Sequence, residues 1–336
     1  MEEQIRKVML DSIEASLQEY LDAYWVNEQS LFKEMISYHM GWQSGLPSKA
    51  KGKRIRPYLL LLMSAVSGND WLKALPAAVS VEYLHNFTLI HDDIMDNSKL
   101  RHGQPSVWSK FNIPQAINAG DGLFNMSQWA LYQIKSNYPQ ETTFRIFEIF
   151  NQSVAELIYG QILDIQFEEQ SETTLDDYWR MITGKTGILI KACALIGACL
   201  GSLNDHCISL AGDFGLNLGL AFQVQDDLLG IWGDPVKTGK PIFNDLIEGK
   251  TSLPIVYALQ NEANFKEAWR NKNINLENAR HYTTLLEEIG AKVFCQNKAK
   301  EFTQRAFLAL DTMDLKRNPY MKLLQALTSS LLIREI

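Results

Sequence analysis

Two groups of aspartates stand out among the residues able to do chemistry. One is Asp92-Asp93-Ile94-Met95-Asp96, followed by Arg101; the other is Asp226-Asp227, followed by Asp234 and Lys240. Like charges four apart on a helix destabilise it by about 0.2–0.5 kcal/mol even when exposed. Two such clusters in apolar, helix-like sequence therefore imply cations held between carboxylates. Mg2+ is the natural ion, because it takes carboxylate oxygens, keeps some waters and shares phosphate oxygens as ligands. An isolated cluster of this spacing is commonly a solvated acidic face. Leu89, Ile90, Ile94 and Met95 around the first cluster, and the existence of a second, argue against that here. The second cluster interrupts the apolar run Leu218–Gly230 with Gln223, Asp226 and Asp227. Position 230 is Gly where a third carboxylate would complete the spacing, and Asp234 is expected beyond the helix end. By itself, this second group reads as an ordinary helix C-terminus.

The cations complement these acids. Gly52-Lys53-Arg54-Ile55-Arg56-Pro57 places Lys53 and Arg56 three apart at the start of an apolar run. With Pro57 opening a helix, this is an anion site. Arg101, Lys185 (in Gly184-Lys185-Thr186), Lys240 (in Thr238-Gly239-Lys240) and Lys250 (in Gly249-Lys250-Thr251) each lie near glycine or a loop. Singly each reads as a surface charge; together they are equipment for phosphate. Gly184-Lys185-Thr186 lacks the preceding glycine spacing and strand of a P-loop. His85 and His91 precede the first acid cluster, where a lone His is more often structural than a ligand. The absence of HExxH and of any Cys/His cluster argues against zinc, and no nucleophile elbow or dinucleotide fingerprint occurs.

The elements that must position these residues read as helices. Apolar positions recur at three and four over Ile5–Tyr24, Pro57–Ser67, Leu75–Met95, Ala116–Ile134, Thr143–Phe167, Leu175–Leu200, His206–Trp232, Ser252–Gln260, His281–Ala309 and Pro319–Ile333. No alternating strands or tight hairpin signals are found. Ala119–Gly122 reads as a loop or a helix start, Gly45–Gly52, Ser98–Pro105 and Gly233–Asn244 as loops, and Ser171–Thr174 as a helix N-terminus. The expectation is one all-α domain over residues 1–336, with a helical segment at 1–45 and the motifs between about 52 and 257. Gly187–Leu203 is the most apolar stretch, but Lys191 interrupts it and it is short for a bilayer. It reads as a core helix, with no transmembrane segment expected. The net charge of −7 argues against a nucleic-acid or anionic-membrane surface. Four cysteines without a CxxC pair, and an amphipathic N-terminus in place of a secretory signal, suggest a reducing, cytoplasmic setting.

The order of motifs resembles that of the trans-isoprenyl diphosphate synthases, also called polyprenyl synthetases. Gly52–Pro57, Asp92–Asp96 with Arg101–Pro105, Ala119–Asp121, Gly160-Gln161 with Asp164, Gly184–Thr186, Gln223–Asp227 and Gly239-Lys240 carry the resemblance, which fades before Gly45 and after Tyr257. It implies an all-α bundle around a deep central cavity, usually in a homodimer, joining isopentenyl diphosphate to an allylic diphosphate. By resemblance, Asp92, Asp96 and Asp226 bind Mg2+, more than one ion per site, with Asp227 nearby. Arg101, Lys185, Thr186, Gln223, Lys240 and Lys250 match positions holding the allylic diphosphate. Lys53, Arg56 and His85 match those holding isopentenyl diphosphate. Three departures stand out. His102 replaces the second Arg of a usual pair on isopentenyl diphosphate, and imidazole is a weaker anion ligand than guanidinium. Gly230 removes a distal carboxylate, for which Asp234 is a candidate substitute. Third, some family members became terpene cyclases or inert partner subunits; Lys53 with Arg56 argues against the first, and Asp92 with Asp96 against the second. Five residues before Asp92, about 7 Å deeper along a helix, stands Phe87, with Thr88 beside it and Leu84 a turn below. An aromatic there resembles the floor of C20-forming enzymes, so the expected product is geranylgeranyl diphosphate; farnesyl or slightly longer products are the neighbouring alternatives.

Overall fold

The computed structural model describes residues 1–24, 30–43, 52–169, 173–234, 243–271, 274–315 and 318–332. Helices dominate: α1 (Glu2–Tyr24), α2 (Leu31–His39), α3 (Ile55–Ala65), α4 (Leu75–Met95), α5 (Val107–Phe111), α6 (Ile113–Tyr132), α7 (Gln140–Glu169), α8 (Leu175–Ile182), α9 (Ile188–Leu200) and α10 (Asp205–Trp232). The chain continues through α11 (Asn244–Glu248), α12 (Leu253–Asn261), α13 (Ala263–Arg270), α14 (Ala279–Glu288), α15 (Ala291–Thr312) and α16 (Pro319–Leu332). Between α4 and α5, β1 (Leu100–Arg101) and β2 (Gln104–Pro105) form a small antiparallel pair.

Contacts group the residues into two compact units. The first holds residues 1–147 with 196–203 and 316–323. Its centre is α4, which packs most extensively on α6 and also on α3 and α1. The reason is in the sequence: Pro76 to Leu84 of α4 and Pro57 to Ala65 of α3 are buried without interruption. α1 is one-sided, burying Met9, Ile13, Leu17 and Leu21 at four-residue spacing. The second unit holds 148–195, 204–315 and 324–336. Here α10 packs along α15, and α12 packs on α15 and α8. Ile231, Leu246, Ile255, Phe265 and Leu286 form an apolar cluster beside the end of α10.

Several sequence expectations change. Ala119–Gly122 is neither loop nor helix start but the interior of α6; Gly120 and Gly122 are small because His91 and Phe32 pack directly over them. The Ser98–Pro105 segment carries the two short strands, closed by His102 and Gly103 at φ 52° and 80°. The expected single helix 281–309 breaks at Gly290, whose φ of 81° favours glycine. Helix α3 begins at Ile55, so Pro57 lies inside its first turn and does not open it. The expected 175–200 helix is divided by a wide turn, Thr183–Gly187, where Ile188 N–H bonds Thr183 O five residues back. Leu175–Leu200 and Asp205–Trp232 are each long and apolar enough to cross a membrane, yet 78% and 61% of their most apolar windows is buried within the protein, as in core helices.

Candidate active site

The first acid cluster lies at the C-terminal end of α4. Asp96 caps the helix, its N–H bonding Asp92 O at 2.8 Å. Asp92 and Asp96 are half-buried, one turn apart. Asp93 is different, being 2% exposed and gripped by Arg101 through Nε to Oδ2 at 2.7 Å and Nη2 to Oδ1 at 2.9 Å. The β1–β2 pair folds Arg101 back onto α4, and Trp108 Nε1 fixes its base by donating to Ser98 O. Burial raises the Asp93 carboxyl above its ordinary range, and Arg101 opposes that rise.

The cations at the start of α3 sit in the same unit. Arg54 holds the left-handed region, at φ 49°, and its guanidinium is buried. It binds Glu14 of α1 at 3.0 Å, Glu82 of α4 at 2.9 Å and Met40 O at 3.3 Å. This buried network fixes the backbone between Lys53, which is exposed, and Arg56. Arg56 Nη1 lies 3.0 Å from His85 Nε2, which makes that nitrogen an acceptor. Burial, then Arg56 and Arg101, drive the His85 imidazole well below its ordinary range; burial and Arg101 lower His102 likewise. The segment thus gathers cations around imidazoles that burial first, and the adjacent guanidinium groups second, keep neutral.

The second acid cluster belongs to the other unit. Lys185 and Thr186 ride on the wide turn after α8. That turn touches α7 backbone to backbone: a Cβ on Gly160 would lie 2.2 Å from Lys185 N, and one on Gly184 2.7 Å from Glu156 O. Lys185 pairs with Asp164 of α7. Thr186 Oγ1 donates to Gln223 Oε1 at 2.7 Å, and Gln223 Nε2 donates to Asp227 Oδ1 at 2.8 Å. Asp227 also accepts from Tyr178 Oη at 2.6 Å and Leu253 N–H at 2.7 Å. Burial, with the nearby Asp245 carboxylate, pushes Asp227 up to about 7 despite those donors. Asp226, one residue earlier, is half-buried. Lys250 lies 3.8 Å from Glu168. Lys240 lies outside the described residues.

Gly230 has a physical reason. A Cβ there would meet the Asp245 carboxylate at 2.2 Å, so Asp245 fills the space of the missing side chain. Asp234 is exposed past the end of α10. Among the described residues no three ligands converge tightly enough to hold a metal alone. The donor set still fits magnesium, which is bound by one or two carboxylates together with substrate phosphate. Phe87 is half-buried between the His91 ring at 4.8 Å and the Phe124 ring at 5.3 Å. Leu84 is buried below, and Thr88 Oγ1 turns back to His85 O at 2.7 Å. Sequence reasoning did not find Glu14, Phe124, Tyr178 or Asp245, whose roles come from neighbours far along the chain.

The polyprenyl synthetase family model matches residues 45–289. A geranylgeranyl diphosphate synthase of Saccharolobus solfataricus is 42% identical over 210 residues, 62% of this chain and 63% of the relative; the match thus spans slightly under two thirds of that relative. A geranylfarnesyl diphosphate synthase of Aeropyrum pernix is 34% identical over 77% of this chain and 82% of its own. The crystal structure of geranylgeranyl pyrophosphate synthetase from Pyrococcus horikoshii Ot3 superposes with a TM-score of 0.88 at 29% identity, covering 99% of both chains. The ordered acid and cation motifs, the all-helical architecture and these matches together establish that the chain belongs to the polyprenyl synthetase family.

Proposed function

We propose that this protein is a magnesium-dependent prenyltransferase that joins isopentenyl diphosphate to an allylic diphosphate, releasing a short-chain all-trans prenyl diphosphate, geranylgeranyl diphosphate first among the candidates. The observation that carries the reading is the division of labour within each acid cluster. In each, the second aspartate is buried and committed to protein donors, while the first is half-buried within the last two turns of its helix.

Asp92, Asp96 and Asp226 would hold the magnesium. When bound, the metal stabilises negative charge on the departing diphosphate. Lys185, Lys240, Lys250 and Arg101 bind the allylic diphosphate, and Lys53, Arg56, His85 and His102 that of isopentenyl diphosphate. These cations favour the charge that develops as the allylic bond breaks. Thr186 spends its proton on Gln223, so its oxygen lone pairs remain to stabilise a carbocation. The isopentenyl double bond attacks that cation, and the released diphosphate takes the proton lost afterwards. Phe87, with Leu84 and Thr88, limits the tail, and Phe124 supports Phe87 from α6. The Saccharolobus relative at 42% identity favours the C20 product. A homodimer is supported by an exposed apolar stripe on α7, Ile158, Ile162 and Ile165, each at least 38% exposed. Four cysteines buried as thiols support a cytoplasmic setting.

One assay tests the reading. Purified protein receives Mg2+, labelled isopentenyl diphosphate and allylic primers of increasing length, and the products are separated by chain length. A labelled C20 diphosphate is expected. C15 or longer products would move the length assignment. Hydrocarbon or alcohol from the allylic substrate alone would identify a terpene cyclase. Turnover only after addition of another synthase subunit would identify a non-catalytic partner.

A further inference from the structure

His39, at the last turn of α2, belongs to none of the motifs. It lines a small hollow with Tyr38, Arg101, His102, Gln104 and Ser106. Two observations make it more than a wall. Its Nε2 is buried with no hydrogen-bond partner among the described residues. Its ring also lies beside Asn86 of α4. The Asn86 amide already donates Nδ2 to Glu82 O at 2.8 Å and to Glu82 Oε1 at 3.2 Å. With both amide protons engaged, Asn86 can meet the ring only through its oxygen. Glu82 is itself locked by Arg54. A buried chain from Arg54 through Glu82 to Asn86 thus ends beside an imidazole whose Nε2 has no partner among the described residues, in a hollow shared with Arg101 and His102. Leaving a buried polar atom unsatisfied costs about 1–3 kcal/mol, so such a held-out nitrogen asks for a ligand.

The surroundings specify its charge. Burial, then Arg101 and Arg54, push the His39 imidazole down to about 3. An entering anion reverses that balance: it favours the protonated ring, which then donates from Nε2. The same hollow contains His102, the residue that stands where the family pattern has a second Arg. We infer that His39 is a further ligand of the isopentenyl diphosphate subsite, acting through Nε2 and complementing the weaker grip of His102. The inference rests on the proposed function, since it assumes that Lys53 and Arg56 hold that substrate.

Steady-state kinetics at saturating allylic diphosphate separate the possibilities. His39→Phe keeps the ring volume and removes the nitrogen. It should raise KM for isopentenyl diphosphate about tenfold, the loss expected for one hydrogen bond to a charged group, while KM for the allylic diphosphate and the melting temperature stay unchanged. His39→Gln restores a donor and should recover most of the loss. His102→Arg in the His39→Phe background should do the same. Wild-type KM for isopentenyl diphosphate in His39→Phe overturns the inference, and so does a parallel rise in both KM values with a lowered melting temperature. Lys53→Ala and Arg56→Ala are the control: if they too leave KM for isopentenyl diphosphate unchanged, the underlying assignment of the subsite fails with it.

Discussion

The two acid clusters have the same first step in sequence, Asp-Asp near a helix end, and solve the burial of the second aspartate in opposite ways. Asp93 meets a guanidinium, Arg101, delivered by a two-stranded turn a few residues on. Among the described residues Asp227 meets only neutral donors, Tyr178, Gln223 and the Leu253 N–H, with the Asp245 carboxylate nearby. Burial raises both carboxyls. At Asp93 the cation opposes the rise; at Asp227 the second carboxylate adds to it. The lesson is that one motif letter stands for two electrostatic settings. The first aspartates, Asp92 and Asp226, are alike in being half-buried, and they are the ones proposed to meet the metal.

The largest expected effect separates the first aspartate from the second. Asp92→Ala should lower kcat about a thousandfold, because it removes metal-linked stabilisation worth several kcal/mol. Its melting temperature should hardly change, since a half-buried group is lost. Full turnover in this variant would break the metal assignment. The next contrast is in stability. Asp227→Ala strands a tyrosine hydroxyl, an amide and a backbone N–H in the interior, and should cost about 3 kcal/mol. Asp93→Ala strands, among the described residues, only Arg101, which is 25% exposed and can reach water. It should cost about half as much in urea unfolding. Equal losses would erase the distinction between the two settings.

Much of this was legible in the sequence, unevenly. Periodicity and punctuation located α4 to the residue, Leu75–Met95, and α10 to within one. Thr174 was recognisable as a helix start, and it forms a reciprocal cap with Asp177. These succeed because caps and amphipathic faces are local. The wide turn at Thr183–Gly187 was hidden, because Gly184 is set by contact with α7 and Gly187 by contact with α10, not by helix propensity. Tyr178 was missed for the same reason: its partner lies 49 residues away. Gly230 looked like a loss, with Asp234 as its replacement. The space at Gly230 itself is filled by Asp245, a residue that no spacing rule connects to it.

A smaller effect sharpens the first region alone. Phe87→Ala removes a ring wedged between His91 and Phe124. The product should lengthen by one or more five-carbon units, and Phe124→Ala should shift the profile in the same direction more weakly. An unchanged profile in Phe87→Ala would reduce this aromatic cluster to core packing.

The smallest expected effect tests the electrostatic contrast between the two units directly. Folded Asp227 keeps its proton up to about 7, whereas an unfolded aspartate releases it near pH 4. Its contribution to stability is therefore fully present below about pH 4 and is lost as pH rises towards 7. His39 behaves oppositely. Folded, it accepts a proton only near 3; unfolded, it accepts one near pH 6.5. Its contribution is fully present above about pH 6.5 and is lost as pH falls. His85, lowered by burial and Arg56, acts in the same direction. Melting temperature followed from pH 4.5 to 8 should therefore carry two opposed slopes. Asp227→Asn should remove the one that weakens the protein towards neutral pH, and His39→Phe should remove part of the one that weakens it towards acid. If both variants flatten the same limb, the acid pocket of one unit and the cationic pocket of the other are not the separate electrostatic settings that their geometry implies.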